Sequence, residues 1–246
     1  MTLTLAHIWR HPIKGIGTEG LDSAHLEPGL PVSGDRAWAL LREGCEETGG
    51  WQKCSNFLRG ANGPALMAIE ATTTTQGIDL RHPGRAPLSF DPATEGGRLI
   101  DWLGDLWPEG MPRPAKLVKA PPEGMSDMDY PSVSILNLAS LRELAQKLGV
   151  PALDMRRFRG NLWIDGADPW AEWDWVGRRI AIGSAVLEIV ERNTRCLATH
   201  ANPETGRRDL DVLPALKEGW GHRDFGVYAK VVSRGEISAG DAMAVL

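Results

Sequence analysis

Cysteine is scarce in this sequence of 246 residues, which has only Cys45, Cys54 and Cys196. Three cysteines are too few, and odd in number, for a disulfide scaffold, so we expect free thiols and a reducing cytoplasm. The sequence has no run of apolar residues long enough for a transmembrane helix, so we predict no membrane partner. The N-terminus, MTLTLAHIWRHPIKG, also lacks the basic start and apolar block of a secretory signal.

Positive charge is in the minority, with 27 Lys and Arg residues against 32 Asp and Glu residues, for a net charge of −5. This balance argues against a generally basic nucleic-acid binder, although it does not exclude a local basic pocket. Neither a glycine-rich phosphate loop nor a nucleic-acid motif occurs, so we expect no nucleic-acid partner. The hydrophobic share of 42% is ordinary for a globular protein with a substantial core.

Long periodic segments are also few, and short β-like segments punctuated by glycine and proline dominate. The clearest pair, 179–182 and 185–190, flanks Gly183-Ser184, a two-residue connection suited to a type II′ hairpin turn. The sequence therefore predicts a mostly β protein. Its other candidate strands are 2–9, 36–41, 65–71, 226–233 and 242–246.

One helix is predicted over 135–148, where apolar residues recur at spacings of three and four. Two N-caps compete for its start: Ser140, which could form a capping box with Glu143, and Asn137. A shorter helix is predicted within 101–114.

The segment between these two predicted helices is a candidate linker. Residues 119–131 read KAPPEGMSDMDYP, which is proline-rich, acidic and without periodicity. The sequence therefore predicts a domain boundary near residue 125.

The segment around Cys196 carries the strongest chemical signal. This cysteine directly follows the second strand of the predicted hairpin and is flanked by Arg192 and Arg195. Neighbouring cations favour the thiolate, the form that binds soft metals or attacks electrophiles. A buried core cysteine is the alternative that cysteine statistics favour. A zinc site with His200 would lack two further ligands.

Three basic segments could bind an anion. RRFRGN, from residue 156 to 161, places three guanidinium groups within four residues, which suits a phosphate or another polyanion. HPIKGIG, which contains Lys14, combines a charge with glycines that let a ligand approach the backbone. Arg36 follows a Gly-Asp turn. Each segment taken alone is also compatible with a solvated surface.

Taken in this order, the segments resemble MOSC-domain proteins that carry an N-terminal β-barrel domain. HPIKG and VSGDRAWAL match the N-terminal domain, and PSVSILNLASL, RRFRGNLWIDG, TRC to PETG, DFGVY and GDAMAVL match the MOSC domain. The family includes the C-terminal domain of molybdenum cofactor sulfurases and the amidoxime-reducing components. The resemblance implies a mostly β fold with an N-terminal β-barrel-like domain over 1–120, followed by a MOSC β-barrel domain over 130–246.

The resemblance also implies a molybdenum cofactor, Mo-molybdopterin, and the residues that hold it. Cys196 matches the metal ligand and catalytic residue, and Lys14, Arg36 and Arg159 match positions expected to bind the pterin and phosphate. These groups are therefore expected to converge on one open cleft. Two departures from the family pattern are Gly15, where many relatives carry serine, and the segment WQKCSNFLRGANGP. Further cofactor contacts are expected from Ser132, Ser134, Asn161, Thr194 and Arg195, whereas Cys45 and Cys54 are expected to be ordinary thiols.

The implied function is a molybdenum-dependent reductase of small N-hydroxylated or N-oxide-like compounds. Its electrons would come from a separate flavoprotein or iron–sulfur protein. Two alternatives stay open: a sulfur transferase that carries a persulfide on Cys196, and a noncatalytic carrier of the cofactor. Both the reductase and the transferase require a reactive cysteine, so the sequence does not separate them.

Overall fold

A computed structural model describes residues 2–246 and confirms a mostly β protein. None of its helices within that range is long and apolar enough to cross a membrane. The α-helices are α1 (Gly96–Leu103), α2 (Leu138–Lys147) and α3 (Val212–Trp220). The strands are β1 (Leu3–Arg10), β2 (Glu19–Leu21), β3 (Ser23–Leu26), β4 (Trp38–Arg42), β5 (Glu70–Thr74), β6 (Gly77–His82), β7 (Arg85–Phe90), β8 (Pro114–Lys119), β9 (Val133–Asn137), β10 (Leu162–Asp165), β11 (Arg179–Ile182), β12 (Ala185–Thr194), β13 (Asp224–Ser233), β14 (Gly235–Ser238) and β15 (Ala242–Val245).

Seven strands form a closed barrel in the order β10-β9-β13-β12-β11-β15-β1, and β1 pairs back onto β10. The pair β9–β10 is parallel, whereas β1 is antiparallel to both of its barrel neighbours. Residues such as Leu5, Ile164 and Val227 fill the interior and are fully buried. Strands from both ends of the sequence therefore complete one barrel. The predicted domain boundary between residues 120 and 130 stays a prediction.

A second β-rich unit has its own apolar core. It contains the pair β4–β8 and the three-stranded sheet β5-β6-β7, against which α1 packs. Leu40, Leu66, Leu99 and other apolar side chains are fully buried between these layers. Ile13 and Ile16, between β1 and β2, pack into this second core, so the start of the chain contributes to both bodies.

The structure corrects the start of the predicted helix 135–148. Residues Val133–Asn137 form strand β9, all of them buried, and only the residues after Asn137 are helical. β9 reads VSILN, and its apolar Ile135 and Leu136 run directly into the apolar stripe of the helix, so periodicity alone does not show where the strand ends. Asn137 is the N-cap, since its side chain accepts from the N–H of Ala139 at 2.9 Å. Ser140 instead donates to the buried Glu172.

Two other element predictions are wrong, whereas the hairpin and the strands predicted at 2–9, 36–41, 226–233 and 242–246 are confirmed. The predicted strand 65–71 is a 3₁₀ helix, Pro64–Ala68, followed by β5, because proline at the start favours a helical turn. The short helix predicted within 101–114 begins earlier, at Gly96. The hairpin is confirmed, with Ile182 opposite Ala185 and a positive φ of 54° at Gly183.

Candidate functional site

A cavity of about 350 Å³ opens between the barrel and the second β-rich unit. This volume lies within the range that small-molecule and cofactor sites occupy. Both halves of the sequence contribute to it, so it is a site between two bodies and does not belong to either one. Its wall comes from residues 14–15, 36, 54, 59–61, 127–128, 134, 157–159, 191–196, 198–199 and 228.

Cys196 lies in this wall, at the end of β12, and its residue surface is exposed to the cavity. Burial of the sulfur between the walls raises the pKa of the thiol, and the charge of Asp127 adds to this. The N–H of Ala198, Arg195 and Arg59 act in the opposite direction but do not compensate. Arg195 therefore favours the thiolate as predicted, but burial outweighs it, and the pKa of the thiol is raised in the metal-free protein.

Two buried polar atoms beside Cys196 lack a hydrogen-bond partner among residues 2–246. Arg195 donates through Nε to Phe225 O at 2.9 Å and through Nη1 to Phe158 O at 3.1 Å, and its Nη2 has no acceptor. Asn193 donates to Ser134 Oγ at 2.9 Å, and its Oδ1 has no donor. Unsatisfied buried groups are costly. Because both residues line the cavity, a polar ligand there can complete their hydrogen bonds.

The structure brings Lys14, Arg36 and Arg159 together at the same cavity, from three distant segments. Lys14 is buried and donates through Nζ to Asp127 at 2.5 Å and to two backbone carbonyls. Arg36 pairs with Asp35 and donates to the carbonyl of Arg159 at 3.2 Å. Arg159 donates through Nη1 to Gly17 O at 3.0 Å and has no carboxylate partner among residues 2–246. Such a group of cations suits an anionic ligand.

Arg36 and Arg159 share an unusual backbone conformation. Their φ angles of 50° and 47° lie in the left-handed region, which costs energy for residues other than glycine. Between them the imidazole of His11 is fully buried, and burial followed by the charges of Arg159 and Arg36 holds its pKa well below the ordinary value. Burial and the neighbouring Arg36 likewise lower the pKa of Arg159 to about 9, so it remains charged at neutral pH.

Of the other predicted cofactor contacts, some line the cavity and some do not. Ser134 and Thr194 line the cavity, and the Thr194 hydroxyl donates to Asp224 at 2.5 Å. Ser132 is buried just before β9 and does not line the cavity. Asn161 also lies outside the wall, because its amide accepts from Ser134 N at 3.0 Å and donates to Trp9 O at 3.2 Å. Asn161 therefore joins the strands that carry the site.

Several cavity residues escaped the sequence predictions. Asp127 lies in the segment predicted as a linker; burial raises its pKa, but Lys14 and Arg36 outweigh burial and hold the value at about 2. Burial, followed by the charge of Asp127, raises the pKa of Tyr228 to about 12, so this phenol keeps its proton. Cys54 and Arg59 belong to the segment that departs from the family pattern, and both face the cavity. No sequence periodicity marks any of the four.

Gly15 is required by a close approach of the chain. Its φ is +75°, and a methyl group there would lie 2.6 Å from the carbonyl oxygen of Leu58. We expect Gly15→Ala to lower the free energy of unfolding by about 2–4 kcal/mol, from left-handed strain plus a steric clash, as measured by urea unfolding.

Gly29 is the matched control for this substitution. It has nearly the same φ of +74°, but nothing lies within 4 Å of the position of a Cβ. Gly29→Ala should therefore show only the conformational cost, on the order of 1 kcal/mol. Equal losses in the two variants would mean that the contact with Leu58 has no energetic weight.

Comparison with known proteins agrees with this architecture. The family model "MOSC domain" matches residues 126–244, and the model "MOSC N-terminal beta barrel domain" matches residues 2–99. Mitochondrial amidoxime-reducing component 1 of Mus musculus is 30% identical to the chain, over 99% of this chain and 82% of that protein.

Two further similarities are narrower. The molybdenum cofactor sulfurase of Anopheles gambiae is 33% identical over 38% of this chain, and the match spans only 13% of that much longer protein. The crystal structure of the YUAD protein from Bacillus subtilis superposes with a TM-score of 0.50 over 100% of this chain and 96% of that one. At 14% identity this similarity concerns the fold alone.

Proposed function

Because the chain belongs to the MOSC-domain family, with the N-terminal beta barrel domain ahead of the MOSC domain, we propose that it binds a molybdenum–pterin cofactor in this cavity. We further propose that the loaded protein reduces N-hydroxylated or N-oxide-like compounds, the class suggested by the name of its amidoxime-reducing relative. The observation that carries the proposal is a thiol and several arginines in one cavity of suitable size.

The residues present fit such a cofactor. Cys196 would supply the soft sulfur ligand that molybdenum accepts, and its proton would be released to solvent as the metal binds. Lys14, Arg36 and Arg159 would hold the phosphate and pterin end. The unpartnered Oδ1 of Asn193 offers an acceptor to the polar edge of the pterin. When bound, the cofactor would supply a redox centre that accepts oxygen.

The net reaction needs two electrons and two protons for each N–O bond broken, and it yields the reduced nitrogen compound and water. We propose that a separate flavoprotein or iron–sulfur protein supplies the electrons. In the recessed cavity the fixed charges would interact with a ligand more strongly than they would in bulk water. Tyr228, which keeps its proton, can donate a hydrogen bond there.

Sulfur transfer through a persulfide on Cys196 is the less favoured alternative. Attack on a sulfur donor requires the thiolate, and burial raises the pKa of this thiol. A metal ion displaces the proton directly, so a raised pKa opposes metal binding less than it opposes nucleophilic attack by the free thiol.

The test is purification from a host that makes the cofactor, followed by molybdenum analysis and a reductase assay with a chemically reduced dye as electron donor. We expect near-stoichiometric molybdenum and reduction of an aromatic amidoxime. Bound molybdenum without turnover would favour a cofactor carrier. A persulfide on Cys196 without metal would favour sulfur transfer. Either result would overturn the reductase proposal.

A further inference from the structure

The cavity contains more positive charge than its own carboxylates neutralise. Three cations have a partner: Lys14 pairs with Asp127 at 2.5 Å, Arg157 pairs with Asp209 at 2.8 Å, and Arg36 pairs with Asp35. Four other arginines in the wall have no carboxylate within 4.0 Å anywhere in residues 2–246: Arg59, Arg159, Arg192 and Arg195.

A cofactor phosphate would not neutralise all four of these arginines. A phosphate monoester carries roughly −1.5 to −2 at neutral pH. Glu191 is a further carboxylate in the wall, so about one positive charge would remain after the phosphate has bound. Surplus fixed charge in a recessed site favours a second anion.

Arg59 is held in place with part of its guanidinium free. Its Nε donates to Asn62 Oδ1 at 2.9 Å and its Nη1 donates to Cys54 Sγ at 3.3 Å. Its Nη2 donates no hydrogen bond to any of the described residues. A guanidinium that is fixed at two nitrogens and free at the third is preorganised to bind an oxyanion.

The segment that carries Arg59 is wedged between two other parts of the site. On one side the carbonyl of Leu58 lies against Gly15, as described above. On the other side a methyl group at Gly60 would lie 3.4 Å from the Cβ of Ala198, two residues after Cys196. This packing places Arg59 beside the thiol end of the cavity.

Arg195 supports the same location. It is 9% exposed, it lines the cavity, and its Nη2 has no hydrogen-bond partner in the described part of the chain. Arg195 and Arg59 are also the two cations whose charges most affect the thiol of Cys196. Both arginines and Cys196 belong to the wall of the same cavity.

We propose that Arg59, together with Arg195, forms a subsite for a carboxylate or another oxyanion of the substrate. The protein would then prefer anionic N-hydroxylated or N-oxide-like compounds over neutral compounds of the same shape. The substrate class rests on the proposed function, whereas the preference for an anion is a property of the cavity that the metal-free protein already has.

The first experiment uses the metal-free protein and the thiol of Cys196 as a probe. Rates of alkylation by anionic iodoacetate and by neutral iodoacetamide are measured on the Cys196 peptide by mass spectrometry. The ratio of the two rates cancels the reactivity of the thiolate and reports the electrostatic preference. We expect Arg59→Gln to lower this ratio by about fivefold, less than the tenfold or more of a fully desolvated charge-assisted contact, because Arg59 is half-buried.

Two variants make the result interpretable. Arg208→Gln removes the same charge from an exposed arginine that bonds the same segment, through Ala61 O at 2.7 Å, but lies outside the wall. Its ratio should equal that of the unchanged protein. Arg59→Lys keeps the charge and should restore most of the ratio. An unchanged ratio in Arg59→Gln would overturn the subsite.

The second experiment uses the loaded protein. Arg59→Gln should raise the KM for an amidoxime bearing a carboxylate by about fivefold and leave the KM of its neutral analogue unchanged. A loss of bound molybdenum with both KM values unchanged would assign Arg59 to the cofactor and overturn the proposal. If the loaded protein has no reductase activity, the proposed function fails, while the alkylation ratio still decides the anion preference.

Discussion

Cys196→Ser is expected to lower turnover per bound molybdenum by more than about a hundredfold, because even changes beyond the first ligands of a metal site cost ten- to a hundredfold. The substitution replaces a soft sulfur with a hard, poorly ionised hydroxyl of similar shape. The cations on the opposite wall are unchanged, so the pterin should still bind. The measurement is reductase activity divided by molybdenum content.

Cys45→Ser is the matched control for this variant. Cys45 is half-buried and packs against a small apolar cluster outside the cavity. The Cys45→Ser variant should therefore keep normal reductase activity per bound molybdenum. If Cys196→Ser also keeps full normalised activity, the thiol is not the catalytic ligand and this assignment of the site is wrong.

Arg159→Ala is expected to act on the number of loaded sites and to leave the chemistry of each site intact. It removes a charge-assisted contact to the phosphate end, which contributes about 1.5–3 kcal/mol, or roughly ten- to a hundredfold in affinity. The molybdenum content should fall, and the residual loaded fraction should turn over at a near-normal rate. Elemental analysis and normalised activity, measured together, give both quantities.

Two controls separate charge from backbone effects at this position. Arg156→Ala removes a neighbouring arginine that pairs with Asp154 and lies outside the cavity wall, so its molybdenum content should be unchanged. Arg159→Gly loses the same charge but accommodates the left-handed φ of 47° without strain. Equal loss of cofactor in the alanine and glycine variants is the expected result. Unchanged molybdenum in both would remove Arg159 from the cofactor site.

The outline of the fold follows from short-range patterns in the sequence, but strand pairing does not. The hairpin at Gly183 was predictable because its turn chemistry is local. Strand β9 was not, since its apolar residues run directly into the apolar stripe of the helix. The N-cap at Asn137 could be named only as one of two candidates, because the start of the helix depends on where the strand before it ends.

The predicted site was incomplete for a similar reason. The resemblance to a family placed Lys14, Arg36 and Arg159 in one group, and the structure brings them to one cavity. Asp127 lies in an acidic, proline-rich stretch with no pattern to distinguish it from solvated linker. Cys54 had no metal-like spacing, and only the tertiary fold brings it to the same wall as Cys196.

Residues that are adjacent to Cys196 in sequence do not by themselves determine the pKa of its thiol. Arg192 precedes Cys196 by four positions, but its guanidinium stacks over the ring of Trp173 at 4.6 Å. Arg195 is adjacent, but it turns inward to the carbonyls of Phe225 and Phe158. The charge of Arg195 lowers the pKa of the Cys196 thiol, but burial of the sulfur has the larger effect, and the sequence gives no sign of that burial.

The position of β1 between β15 and β10 has a consequence for how the chain folds during synthesis. The barrel can close only after the last strand has left the ribosome, because β15 pairs with both β11 and β1. Until then β1 lacks one of its two barrel neighbours. The pairing of β1 with β15 joins residues from opposite ends of the chain, and contacts between residues that are so distant in sequence slow folding. A fragment of the second half alone would expose the edges of β10 and β15 and would be prone to edge-to-edge aggregation.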